Sequence, residues 1–255
     1  MLVAIESLAV GTTCQSDVIM FLSQMPWDFW LIFAFLLIVV PWRGRVRLRR
    51  LLAKDHVPSK EKITLYGSTI AVQWFLAILV VWRAIARGLT PAELGLARLP
   101  WFDVLFPAVA GALVLGGLHW LNLRRIGTLE GTAADTLRLL AARVLPSSFL
   151  EMLPYFTLAL TAGVCEEFLY RGFGMAALAH AGLPPSVGVV LTALLFGLAH
   201  TYQGKSGVVG TTLLGMVLGA FRILLGSLVP LSVWHATIDL VAGVAGKRYL
   251  LNGRN

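Results

Sequence analysis

The sequence predicts an all-α protein, a polytopic transmembrane helix bundle of about seven spans, with six or eight also compatible with the pattern. Three observations predict it. Only 13% of the 255 residues are charged and 58% are hydrophobic, whereas soluble domains carry roughly 25% charge. Mean hydropathy is +0.80. The apolar residues gather into runs of about 17 to 25, the length that crosses roughly 30 Å of hydrocarbon at 1.5 Å per residue.

The expected spans are 18–42, 63–82, 102–123, 149–181, 186–202, 207–225 and 228–245, each an apolar run bounded by charge, Pro or Gly. Pro26 and Asp28 interrupt the first run, which allows the leader to be a short surface helix. Residues 1–24 carry Glu6 and Asp17 and lack a basic n-region, so no cleavable signal is expected. The stretch 43–54 alternates Arg43, Arg45, Arg47, Arg49, Arg50 and Lys54 with Val46, Leu48, Leu51 and Leu52, the pattern of an amphipathic helix anchored on a membrane surface. Leu137, Leu139, Leu140 and Val144 give the stretch 133–144 a similar apolar side.

Lys and Arg fall in alternate loops: after the first span, after the third (Arg124, Arg125, Arg138, Arg143), after the fifth (Lys205) and after the seventh (Lys247, Arg248, Arg254). The positive-inside rule then puts the N-terminus outside and the C-terminus in the cytoplasm of a plasma (inner) membrane. The loop with Arg83, Arg87 and Arg98 dissents. The net charge of +8 sits beside apolar spans, so the expected partner is the lipid bilayer and not nucleic acid. Cys14 and Cys165 offer neither a disulfide framework nor zinc-ligand spacing. Gly111 with Gly116-Gly117, and Gly215 with Gly219, read as close helix packing. Trp27, Trp30, Trp42, Trp82 and Trp101 read as interfacial anchors. Lone His119 reads as a packed histidine, Arg222 as a snorkelling side chain and Cys165 as a packing residue.

Ionisable groups inside hydrocarbon cost on the order of 2.5–3.5 kcal/mol each on insertion scales, and here they cluster. The fourth span holds Glu166, Glu167 and Arg171, the fifth His200, the seventh His235 and Asp239. Glu167 and Arg171 are four apart with the acid first, the favoured helical ion pair, and His235 and Asp239 share a face by the same spacing. Glu166, turned about 100° from Glu167, is free to point elsewhere. Glu166 and His200 each lie 17 residues from Leu183, so they meet at similar depth, in the cytoplasmic half; His235 and Asp239 match more loosely and need a tilt or a broken helix. Peptide hydrolysis needs an activated water, a proton donor and oxyanion stabilisation, and this set can supply them. Signatures of serine hydrolases and of His-Glu-x-x-His zinc proteases are absent from the sequence.

The ordered set Glu166-Glu167-x-x-x-Arg171, Phe196-x-x-x-His200 and His235-x-x-x-Asp239 resembles the three motifs of the CPBP/ABI family of intramembrane proteases, which includes the CAAX prenyl endopeptidases. The resemblance covers about 161–245. It implies a membrane-associated or lipidated peptide or protein substrate, with Glu166 and His200 activating water, Glu167 and Arg171 shaping the site, and His235 steadying the oxyanion. Where the family commonly has Asn, this chain has Asp239, and an ionised carboxylate cannot donate that hydrogen bond; Asp239 is left to orient His235, to help hold a metal, or to act protonated. Family members are described both as metalloproteases and as metal-free glutamate enzymes, so the cofactor is none or zinc, with Glu166, His200, His235 and Asp239 as candidate ligands. The chain then divides into N-terminal spans with basic linkers (1–145) and a catalytic core (146–255) within one membrane domain. The rival readings are a proton-coupled transporter, since His and carboxylate chains also relay protons, and a non-catalytic bacteriocin-immunity or scaffold protein.

Overall fold

The computed structural model describes residues 25–251. The leader with Glu6, Cys14 and Asp17, and Arg254 at the other end, lie outside the described residues. Within them the chain is all-helical: α1 (Trp27–Leu52), α2 (Ser59–Ala86), α3 (Trp101–Thr128), α4 (Thr132–Val144), α5 (Phe149–His180), α6 (Pro185–Ala199), α7 (Gly204–Leu225) and α8 (Val229–Leu251).

Over the described residues each expected apolar run is largely helical, and among them five helices are long and apolar enough to cross a membrane, or six if the α4–α5 pair, bent by 99°, is one broken span. The shortfall against seven has a physical cause. Helix α5 carries Glu151, Glu166, Glu167 and Arg171, and α6 stops at Ala199 after 15 residues, about 22 Å of rise. The chain is a multi-pass helical membrane protein.

The amphipathic helix expected at 43–54 forms as far as Leu52, as the second half of α1. Helix α1 runs without a break through Pro41 to Leu52. A proline inside a helix clashes with the carbonyl four residues back, here that of Leu37. Leu37 lies in a π-helical stretch, Phe35–Val39, where the Val40 N–H reaches Phe35 O, and this wider local winding accommodates the ring. The basic half of α1 is thereby carried rigidly on from its apolar half, with Trp42 at the junction.

Helix α8 packs against α3 and α5, α7 against α6, and α2 against α5. Small residues set these approaches. A Cβ on Gly111 would overlap the Trp234 indole, one on Gly163 would meet the Ser232 carbonyl, and one on Gly215 would meet Ala193. Gly117 has open space around it, so it is not a packing glycine as expected. Trp234 Nε1 donates to the carbonyls of Pro107 (2.9 Å) and Ala108 (3.1 Å), locking α8 to α3.

Two polar nodes complete the frame. Asp28 pairs with Arg83 (2.6 Å) and Arg87 (3.1 Å), so the dissenting positive loop is largely answered by an acid at the start of α1. Buried Lys62 and Glu151 lie 3.5 Å apart; Ser59 Oγ and the Ser147 N–H donate to Glu151, while Lys62 Nζ donates to Leu145 O. This node joins the starts of α2 and α5 and had no clear sequence signal, because its members sit at span ends where charge is ordinary. Arg222 does more than snorkel: its Nη2 donates to Glu93 O at 2.8 Å, across the turn before α3.

Candidate active site

Helix α5 supplies the centre. The residues Glu166 and Glu167 end its regular winding, and 168–174 continue as a π-helical stretch, a widening often found at functional sites. Glycines make room there: a Cβ on Gly172 would touch the Leu94 carbonyl, and one on Gly174 would touch Thr192 of α6.

Arg171 Nη1 donates to Glu167 Oε1 at 2.9 Å, and both side chains are fully buried. The guanidinium stacks over the Phe196 ring of α6, 4.3 Å from its centroid. On the same Glu167 oxygen, His235 of α8 places Nδ1 at 2.8 Å. The carboxylate can only accept, so Nδ1 carries the hydrogen. One buried anion thus joins an arginine on its own helix to a histidine on another.

Phe196 is the hub between the two imidazoles. Its ring meets His200 and His235 edge to face, at 4.7 Å and 5.6 Å between centroids. Its carbonyl accepts from His200 Nδ1 at 2.8 Å, which leaves His200 Nε2 available. His200 itself stands just past the end of α6, where the chain turns through Thr201–Gln203 and Gly204 (φ 79°) into α7.

Glu166 faces elsewhere, as its helical offset predicted. Its Oε1 accepts from Gln73 of α2 at 2.6 Å, and its Oε2 stands 4.0 Å from His235 Nε2. It shares with His200 the wall of a cavity of about 200 Å³, which Gln73, Tyr170 and Tyr202 also line. Asp239 Oδ2 is 3.8 Å from His235 Nε2, too long for a hydrogen bond. Of the roles left open for Asp239, direct orientation of His235 is therefore taken by Glu167 instead. Tyr155 donates to the main-chain oxygen of Asp239 at 2.9 Å.

The six side chains singled out in the sequence come together from two helices, α5 and α8, and from the end of a third, α6. Gln73 was missed. Its signal is a lone uncharged amide inside an apolar run. Cys165 is buried and free.

A zinc site requires three or four ligands about 2.0–2.2 Å from one point. Among the described residues no three His, Cys, Asp or Glu side chains are grouped in that way. As arranged, the described side chains do not fit a metal ion.

Residues 147–241 match the family model described as type II CAAX prenyl endopeptidase Rce1-like. The C-terminal part of the chain is thus similar to that family. It spans α5, α6, α7 and most of α8, and all six candidate residues fall inside it. Gln73 and the α1 wall of the cavity lie outside the match, so the cavity is completed by helices from the N-terminal part of the same chain. No curated protein and no solved structure matches the chain.

Proposed function

We propose that the protein hydrolyses a membrane-associated peptide of the lipidated CAAX type, using a water activated by Glu166 and His200. One observation carries this reading. The Glu166 carboxylate is anchored by Gln73 on one oxygen, keeps the other 4.0 Å from His235 Nε2, and borders the same cavity as His200.

The chemistry follows from those positions. Water between Glu166 and His200 Nε2 gives a proton to Glu166, and its oxygen adds to the scissile carbonyl carbon as the carbonyl electrons move to oxygen. His235, held as imidazolium through Nδ1–H on Glu167, donates Nε2–H to that oxyanion. Glu166 then passes its proton to the amide nitrogen, the C–N bond breaks, and a carboxylic acid and an amine form, the acid giving its proton to the amine as both leave. Glu167 and Arg171 are positioning residues. Asp239 adds negative charge on the Nε2 side of His235. As proposed, the reaction needs no metal ion, and the alternating basic loops support a site in the cytoplasmic half of the plasma membrane, with the N-terminus outside. Labelling of Lys205→Cys from the outer side would reverse that orientation.

The test is mass spectrometry of a farnesylated peptide ending in C-a-a-X, incubated with the purified protein in liposomes. One cleavage product with wild type and none with Glu166→Gln is expected. Peptide or proton flux without cleavage would put a transporter in its place.

A further inference from the structure

We propose that Arg47 of α1 reads the free α-carboxylate at the C-terminus of the substrate; this deepens the endopeptidase reading and rests on it. Six basic residues follow one another in 43–54, yet only Arg43 and Arg47 border the cavity that holds Glu166 and His200. Arg47 is turned toward α2: Nη1 donates to Thr69 Oγ1 at 2.9 Å and Nη2 to Ser68 Oγ at 2.7 Å.

Those hydroxyls orient the guanidinium without neutralising it. Elsewhere the chain answers cations with acids: Asp28 for Arg83 and Arg87, Glu61 for Lys54, Asp135 for Arg138. Among the described residues no carboxylate stands within ion-pair distance of Arg43 or Arg47. Arg47 keeps three N–H donors beyond the two it uses, in the planar fork that matches a carboxylate.

Its distance from the proposed chemistry is set by α2. Thr69 holds Arg47 and Gln73 holds Glu166, and these two supports are four residues apart, one turn, or about 6 Å along the axis. A C-a-a-X motif ends its chain, so a bond cut just after the cysteine leaves three residues and then the carboxylate, at most about 10 Å away when extended. With the scissile carbonyl at Glu166, that terminus reaches Arg47. A second cavity of about 200 Å³ shares Gly44, Arg47, Thr69 and Tyr202 with the first and is otherwise lined by side chains such as Leu48, Leu51, Leu65 and Leu158. Apolar surface for the aliphatic residues of the tail therefore lies beside the cation.

The test compares two farnesylated C-a-a-X peptides, one with a free C-terminal carboxylate and one amidated, in zwitterionic liposomes. Wild type should cut the free acid with a kcat/KM about 10-fold or more above the amide, the scale of a charge-assisted hydrogen bond. Arg47→Ala, checked for an unchanged melting temperature, should cut both at the rate of the amide. If Arg47→Ala does not fold, Thr69→Val must lower the acid-to-amide ratio. Equal rates in wild type, or a ratio preserved in the variants, would overturn the assignment while leaving the peptidase reading intact. A uniform loss with both peptides that anionic lipid relieves would give Arg47 to a lipid phosphate instead. No cleavage of either peptide by wild type would remove the peptidase reading and this inference together.

Discussion

His235 gives its Nδ1 hydrogen to Glu167 at 2.8 Å, while Asp239, one turn away on its own helix, stays 3.8 Å from Nε2. The imidazole is therefore oriented across helices by the carboxylate that also holds Arg171, and its Nε2 is left facing Glu166.

This division of labour separates two adjacent glutamates by experiment. Glu167→Gln leaves Arg171 fully buried without its counter-charge, a change that costs roughly 3–5 kcal/mol in buried pairs. It should lower the melting temperature in detergent as well as abolish cleavage. Glu166→Gln should abolish cleavage with little change in melting temperature, since its carboxylate borders a cavity. Equal thermal stability of the two variants would contradict the assignment.

Gln73 tests whether the N-terminal helices contribute to the site. Gln73→Leu removes a 2.6 Å hydrogen bond to Glu166, and the lost orientation should lower kcat by about 10-fold, equivalent to about 1.4 kcal/mol. Substrate affinity should change much less. A variant with wild-type kcat would mean that Glu166 needs no support from α2.

Asp239→Asn replaces an acceptor-only group by one that can also donate. If the oxyanion forms near His235, this variant should equal or exceed wild type in kcat, whereas Asp239→Leu should fall below it. Loss of activity in Asp239→Asn would show that the negative charge itself is required.

The packing account is tested by two nearby glycines of α3. Gly111→Ala would drive a methyl into the Trp234 indole, while Gly117→Ala meets nothing. The first should lower the melting temperature. The second should hold or raise it, because Ala is favoured over Gly inside a helix by about 0.5–1 kcal/mol.

Much of this was legible in the sequence because hydrocarbon penalises charge. The few ionisable groups kept inside apolar runs, Glu166, Glu167, Arg171, His200, His235 and Asp239, mark the site by their rarity, and helical spacing alone pairs Glu167 with Arg171. Relations across helices were hidden. Nothing local says that His235 bonds to Glu167 in place of Asp239, or that Gln73 reaches Glu166, since both contacts come from packing between elements far apart in the chain. Helix continuity was hidden too: the proline and the change from apolar to basic residues at 41–43 read as a boundary, yet the π-helical stretch before Pro41 carries α1 through it. Lys62 and Glu151 sit at span ends, where charge is ordinary, and only tertiary packing buries them.

The account turns on Glu166 and His200 acting on one water, and the most direct measurement is the single-turnover cleavage rate of a farnesylated C-a-a-X peptide by wild type, Glu166→Gln, His200→Ala and the double variant, each shown to be folded. Each single change should lower the rate by at least about 100-fold, and the double variant should be no slower than the worse single one, as for groups that work as a unit. Wild-type rates in Glu166→Gln, or independent multiplicative losses in the double variant, would contradict it.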